Sequence, residues 1–285
     1  MKKKTVDILK DAMKGGYAIG AFNTSNMEVT QGIIRAAAEL SRPCVIQTSM
    51  SSLDYVGDKM LKYIVLEAIE SDSRDAEIGF HLDHGKALND ITRAIDAGVD
   101  SVMIDASKLN FKENLTLTKE IVEYAHSKDV SVQAELGAVP YLGREEMGDI
   151  DWEELMTNPE EAEMLVKETG IDALAVGIGN AHGFFRERSE PDWERLDMIK
   201  SLVPEIPLIM HGASDWDKEK VEKAISGGIC CFNIDTDTRI AFSTALCGMM
   251  NKDRCDYNDP RKIMAVVRDA IQKKVEEKIK MFAMI

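Results

Sequence analysis

The sequence predicts an α/β fold, a single (β/α)8 TIM barrel with a C-terminal helical extension, from three observations. Eight short runs of apolar and β-branched residues alternate with helical patterns, the signature of repeated βα units that build a parallel sheet. The 285-residue length lies near the upper limit for one hydrophobic core and is a natural size for such a barrel. Polar residues suited to chemistry close most of the runs, and a parallel barrel carries its active site on the face where its strands end.

Thr5 to Lys14 opens the chain as an amphipathic helix carrying Asp7 and Asp11. Tyr17 to Phe22 is the first strand run, followed by a helix over Glu28 to Leu40. Cys44 to Thr48 is the second, with a helix over Lys59 to Ile69, and Ile78 to Leu82 is the third, with a helix over Asn89 to Ala97. Gly98 ends that helix, since glycine takes up the left-handed conformation of a helix C-cap without strain. Ser101 to Ile104 and a helix over Lys112 to His126 come next. Val130 to Ala134 is the fifth run, followed by the longest loop, Gly137 to Asn158, and a helix over Glu160 to Glu168 that ends before Gly170. Ala173 to Ile178, Pro207 to Met210 and Cys230 to Ile234 complete the eight, with Gly227 closing the helix before the last of them. A helix carrying Arg239 comes after it, and a final helix from about Pro260 to Lys280 lies beyond the barrel. With no domain-sized insertion, residues 1–285 read as one domain.

The formal charge of −15 and a pI near 4.9 argue against nucleic acid or an anionic membrane surface as a partner. Any phosphate would have to be bound by local groups. Cys44, Cys230, Cys231, Cys247 and Cys255 lack paired spacing and read mostly as small buried hydrophobes of a reducing compartment. Lys2-Lys3-Lys4 is basic, but the helix from Thr5 to Lys14 is amphipathic where a signal region would be apolar, and no apolar run reaches membrane-spanning length. A cytoplasmic protein is the expectation.

His84, His182 and His211 are three of only five histidines, and each closes a different strand run and precedes a glycine. A lone histidine most often caps a strand and hydrogen-bonds a loop. Three at the ends of three strands of one barrel point instead to convergence, and three neutral imidazoles with an open fourth position make a catalytic zinc site. The glycines after them let the loops turn sharply and let backbone approach a ligand. Asn23, Ser49, Asp83, Asp105, Glu135, Ser214 and the segment Asn233 to Asp237 close the runs on the same face.

These residues carry a resemblance. His81-Leu82-Asp83-His84-Gly85, Met103-Ile104-Asp105-Ala106-Ser107, Ala134-Glu135-Leu136-Gly137, Ala181-His182-Gly183, His211-Gly212-Ala213-Ser214 and Asn233-Ile234-Asp235-Thr236-Asp237 resemble, in order and with similar spacing, the class II, metal-dependent fructose-bisphosphate and ketose-bisphosphate aldolases. The resemblance implies that His84, His182 and His211 bind a catalytic zinc, with Asp105 and Glu135 as secondary or alternative metal ligands, and it leaves room for a second metal or a monovalent cation. Asp83 matches the aspartate that moves the proton of the C4 hydroxyl. Gly183, Gly212, Ala213, Ser214, Asn233, Ile234, Asp235 and Thr236 match the cradle for the dihydroxyacetone-phosphate half of a phosphorylated sugar. Arg239 looks like the arginine that some members extend from a neighbouring subunit to a second phosphate, which implies a homodimer or larger homo-oligomer. Fructose 1,6-bisphosphate is the leading substrate, with tagatose bisphosphate or another phosphoketose as the alternative.

The chemistry calls for these residue types independently. Breaking the C3–C4 bond of a ketose leaves negative charge on the ketone half, which a divalent zinc stabilises as a Lewis acid. A base must take the C4 hydroxyl proton, and Asp83 adjoins a ligand in sequence. Backbone N–H groups after the seventh and eighth strands form the usual phosphate site of a barrel. The same residues have plainer readings: Asp83 as a carboxylate that only orients an imidazole, Asp105 and Glu135 as loop anchors, Arg239 as a solvated helix residue.

Several positions depart from the family pattern. Val139-Pro140-Tyr141-Leu142-Gly143-Arg144-Glu145-Glu146 stands where a Gly-Gly pair and an acid are usual. Glu145 aligns best with the acid that exchanges the C3 proton, with Glu146 as the alternative and an exposed charge run as the plain reading of both. Asn180 stands where Thr or Ser is frequent, and Lys108 where His is frequent. Three rival readings remain. A Schiff-base aldolase needs a lysine inside the barrel mouth, and only Lys86 and Lys108 lie near strand ends. A metal-dependent epimerase or hydrolase is disfavoured by the paired phosphate cradle. A non-catalytic phosphosugar-binding protein would keep the site without turnover.

Overall fold

The computed structural model describes residues 1–140, 151–183, 190–250 and 259–285. Among them, parallel strands β1 (Ile19–Asn23), β2 (Cys44–Ser49), β3 (Ile78–Gly85), β4 (Ser101–Ile104), β5 (Ser131–Leu136), β6 (Ala173–Val176), β7 (Leu208–Met210) and β8 (Ile229–Ile234) close in sequence order, β8 pairing with β1. Around and below them lie α1 (Thr5–Gly15), α2 (Met27–Leu40), α3 (Met50–Val56), α4 (Asp58–Asp72), α5 (Leu88–Asp96), α6 (Phe111–His126), α7 (Trp152–Leu155), α8 (Pro159–Thr169), α9 (Trp193–Leu202), α10 (Lys218–Ser226), α11 (Thr236–Met250) and α12 (Pro260–Phe282). This is the (β/α)8 barrel expected from the sequence, extended by α12. No helix of the described residues is long and apolar enough to cross a membrane.

Strand alternation divides the core in two. Phe22, Ile46, Phe80, Leu82 and Phe232 are buried outside the sheet, against the helices. Ala21, Val45 and Cys231 are buried inside it, where Ile8, Leu9 and Ala12 of α1 join them and close the end at which the strands begin. Asp100, just ahead of β4, holds that end by accepting from the Thr5 backbone N–H at 2.7 Å and the Phe80 N–H at 3.0 Å. The same alternation on β3 turns Ile78, Phe80 and Leu82 outward and His81 inward, so Asp83 emerges on the inner face at the mouth.

α12 is more than an appendage. Its Phe282 stacks on Phe232 of β8 with ring centroids 4.7 Å apart, and fully burying a side chain of that size contributes about 3 kcal/mol. Against α2 it packs so closely that a Cβ at Gly32 would lie 2.9 Å from Ile271 Cγ2 and 3.0 Å from the Arg268 carbonyl oxygen. Only glycine lets the two helices meet there.

Three of the departures from the sequence expectation have a clear local cause. β3 continues past Leu82 to Gly85 through a register shift, and the Asp105 N–H donates to the Gly85 carbonyl at 2.8 Å. The ladder therefore runs on after the apolar pattern has ended. β6 stops at Val176, short of Ile178, because the Gly177 N–H donates to Thr157 Oγ1 at 2.8 Å and the Ile178 N–H to Asn180 Oδ1 at 2.7 Å. α3 has only Leu53 buried and so no apolar stripe; its evident local signal is Ser49, whose Oγ accepts from the Ser52 N–H at 3.3 Å as an N-cap.

Candidate metal centre

The three histidines meet at the open end of the barrel. His84 sits in the irregular stretch of β3 with φ +54°, a left-handed conformation that a non-glycine residue holds only when its surroundings enforce it. That turn aims its ring across the mouth, while its Nδ1 lies 2.9 Å from Asp105 Oδ2. Asp105 is itself fixed by Ser107, whose Oγ donates to Oδ1 at 2.7 Å. His84 Nε2 lies 3.1 Å from Nδ1 of His211, the residue directly after β7. His182, beyond β6, donates its backbone N–H to the Pro140 carbonyl at 2.8 Å. One ring nitrogen of each of the three lies within 4.8 Å of the others. A tetrahedral ion with ligands at 2.0–2.1 Å needs nitrogens roughly 3.4 Å apart, so the donor set suits a divalent transition metal after a side-chain shift of about 1 Å.

Asp83 stands beside the triad in a network of amides. Asn23 Nδ2 donates to its Oδ2 at 2.8 Å and Asn233 Nδ2 to its Oδ1 at 3.3 Å, while Gln47 Nε2 donates to Asn23 Oδ1 at 2.6 Å. Burial pushes the Asp83 carboxyl up, but the charge of His84, the nearby His211 and the Asn23 hydrogen bond outweigh it and hold it below its ordinary value. It is thus ionised and oriented, as an acceptor of protons must be. Burial works against a charged His84, yet Asp83 and Asp105 overcome it and push the imidazole up to about 10. Burial, reinforced by the charge of His84, takes His211 well below its usual value.

Glu135, at the end of β5, is fully enclosed. Burial pushes its carboxyl up to about 8, its Oε2 has no hydrogen-bond partner, and His211 Nδ1 lies 4.0 Å away. An orphaned carboxyl oxygen beside His211 fits a site built around a cation, whose charge would favour its ionised form.

Of the strand-end residues, Asn23, Ser49, Asp83, His84, Asp105, Glu135, His182 and Asp235 line one cleft of about 1150 Å³ with Arg239, whereas His211, Ser214 and Asn233 are not part of its lining. Lys86 and Lys108 also line it but are exposed at its rim. Arg239, on α11, lies on that rim, with its guanidinium on both Asp235 oxygens at 2.8 Å and its side chain 74% exposed. Glu145 and Glu146 lie outside the described residues. Gln47 escaped the sequence reading, and its signal was there: a polar residue at an inward position of an otherwise apolar strand.

The loops after β6 and β7 are locked together behind the histidines. Asn180 Nδ2 donates to the His211 carbonyl at 2.9 Å. At Gly212, where φ is +63°, a Cβ would lie 2.5 Å from the carbonyl carbon and oxygen of Ala181. Gly212→Ala is therefore expected to destabilise the protein by about 2 kcal/mol, a drop of roughly 4–8 °C in Tm, and to reduce the metal retained. Thermal unfolding and metal analysis check this, and an unchanged Tm with full metal would show that the two loops part freely.

Comparison with known proteins agrees with this geometry. Residues 3–285 match the family model described as class-II fructose-bisphosphate aldolase. The chain is 39% identical over 277 residues to a fructose-bisphosphate aldolase of Geobacillus stearothermophilus, covering 97% of this chain and 95% of that one. It is 37% identical over 304 residues to one from Thermus caldophilus, covering 98% and 97%. Among solved structures, the YdjI aldolase of Escherichia coli K12 superposes with a TM-score of 0.85 at 30% identity, over 99% of this chain and 97% of that one.

Proposed function

The chain belongs to the class II fructose-bisphosphate aldolase family, and from that premise we propose that it cleaves fructose 1,6-bisphosphate reversibly to dihydroxyacetone phosphate and glyceraldehyde 3-phosphate in a zinc-dependent reaction. The protein is a lyase of a metal-dependent family that acts on phosphorylated sugars. The observation that carries the fuller reading is the approach of three imidazole nitrogens to within 4.8 Å, with Asp83 held beside them by two asparagines.

In this reading His84, His182 and His211 would hold the ion, with Asp105 and Glu135 as further or alternative ligands; as placed, Asp105 engages the far nitrogen of His84. When bound, the ion supplies Lewis-acid stabilisation of the negative charge left on the ketone half. Asp83 takes the proton of the C4 hydroxyl as the C3–C4 electron pair passes to C3 and the C4–O bond becomes a carbonyl. Asn23 and Asn233 keep its oxygens aimed there. Glu145 returns a proton to C3, with Glu146 as the alternative. Gly183, Gly212 to Ser214 and Asn233 to Thr236 bind the phosphate of the ketone half, where the amino end of α11 favours an anion. Arg239 meets the second phosphate, which in the family-like arrangement belongs to a neighbouring subunit of a homodimer or larger assembly.

A coupled assay for triose phosphate over fructose and tagatose 1,6-bisphosphates tests the reading. Release from fructose bisphosphate at the higher kcat/KM is the expected result. Preference for tagatose bisphosphate would change the substrate, and no release from either would sink the proposal. Borohydride with substrate should leave activity intact, since the exposed positions of Lys86 and Lys108 offer no enclosed amine for a Schiff base.

A further inference from the structure

The start of α11 sets an electrostatic problem for any anion bound there. Two acids, Asp235 and Asp237, flank Thr236 in the segment assigned above to phosphate, and a carboxylate near a phosphate repels it most strongly where water is excluded. Each acid has its own cation. Arg239 covers Asp235 from the solvent side with two contacts of 2.8 Å. Asp237 is buried, and its Oδ2 lies 2.9 Å from Nζ of Lys278, which reaches in from α12 and is only 7% exposed. The same ammonium donates to the Ser214 carbonyl at 2.7 Å.

Lys278 occupies the buried stripe of α12 formed by Val267, Ile271, Val275, Ile279 and Phe282. Lysine is almost never buried unless paired, and desolvating its charge is costly. Packing alone would favour an apolar residue. One buried ammonium here ties the loop after β7, the first turn of α11 and the C-terminal helix together at the two segments that make the cradle.

We propose that Lys278 is a positioning residue for phosphate binding: it cancels the charge of Asp237 and anchors Ser214 by its carbonyl, so that the cradle meets an anion without a buried carboxylate opposing it. The inference rests on the proposed function, because it takes these segments to be the phosphate site.

Calorimetry on metal-loaded protein, with dihydroxyacetone phosphate and inorganic phosphate as probes, tests it. Lys278→Met should weaken both by about tenfold or more, equivalent to about 1.4 kcal/mol, with metal content unchanged. Adding Asp237→Asn to that variant should bring both affinities back to within about threefold of wild type, because the opposing charge is removed with its partner. A merely structural lysine would show no such rescue. Wild-type affinity in Lys278→Met overturns the inference, as does a double variant that stays about tenfold weak. If the single variant does not fold, the double variant decides by the same limits. If wild type binds neither probe, the proposed function falls and this inference with it.

Discussion

His211→Ala is expected to lose its metal and about 10³-fold or more of its turnover. His211 is 1% exposed, presents Nδ1 to the triad, and receives the Asn233 amide on its other nitrogen at 3.0 Å. Alanine leaves two imidazoles where a catalytic zinc needs three protein ligands. Lewis-acid stabilisation is worth several kcal/mol of barrier, and about 1.4 kcal/mol is tenfold in rate, which sets the size of the effect. Excess chelator should reproduce the loss in wild type, and zinc, or cobalt as a substitute, should reverse it. Metal analysis and triose phosphate release check both arms. Stoichiometric metal in His211→Ala would mean that the triad is misassigned, and full turnover in chelator would remove the metal from the mechanism.

Asp83→Ala should keep its metal, lose C–C cleavage by about 10²–10⁴-fold, and still exchange the C3 proton of dihydroxyacetone phosphate with solvent. The two proton transfers occur at different carbons and need separate groups, and the proposed mechanism gives Asp83, held by Asn23 and Asn233, only the one at the C4 hydroxyl. Metal retention is expected because alanine at 83 leaves all three imidazoles and the Asp105 contact behind His84 in place. Cleavage rate and isotope exchange from solvent, measured on one preparation, decide the matter. Equal loss of both steps would reduce Asp83 to a group that orients its neighbours.

The barrel was legible because its pattern is repeated and local: eight apolar runs spaced by amphipathic helices cannot bury their faces in many other ways. The mouth was legible because polar residues that close apolar runs stand out, and His84, His182, His211, Asp83 and Asn233 all do. What local pattern could not show was direction. That Asp105 faces the far nitrogen of His84 depends on the bulge of β3 and the left-handed backbone at His84, which only the register against β4 defines. Gln47 and Lys278 were passed over for a related reason. Each is a polar residue on a buried face, anomalous in sequence, but its partner lies on another element, Asn23 of β1 for Gln47 and Asp237 of α11 for Lys278.

The return of α12 onto the beginning of the barrel has a consequence for how the protein comes into being. The Ala18 N–H, just ahead of β1, donates to the Phe282 carbonyl at 3.0 Å, and β1 takes its second neighbour from β8. A ribosome adding roughly 5–20 residues per second finishes β1 long before either partner exists. Lys278 comes about forty residues after Asp237, a delay of roughly 2–8 s. During synthesis the sheet therefore grows with an open edge on each side, the condition most exposed to wrong pairing between nascent chains. The seam between β8 and β1 is covered, and Asp237 gains its cation, only when the last helix arrives, so an interrupted chain can carry all eight strands and every histidine of the triad and still leave that buried carboxylate without Lys278.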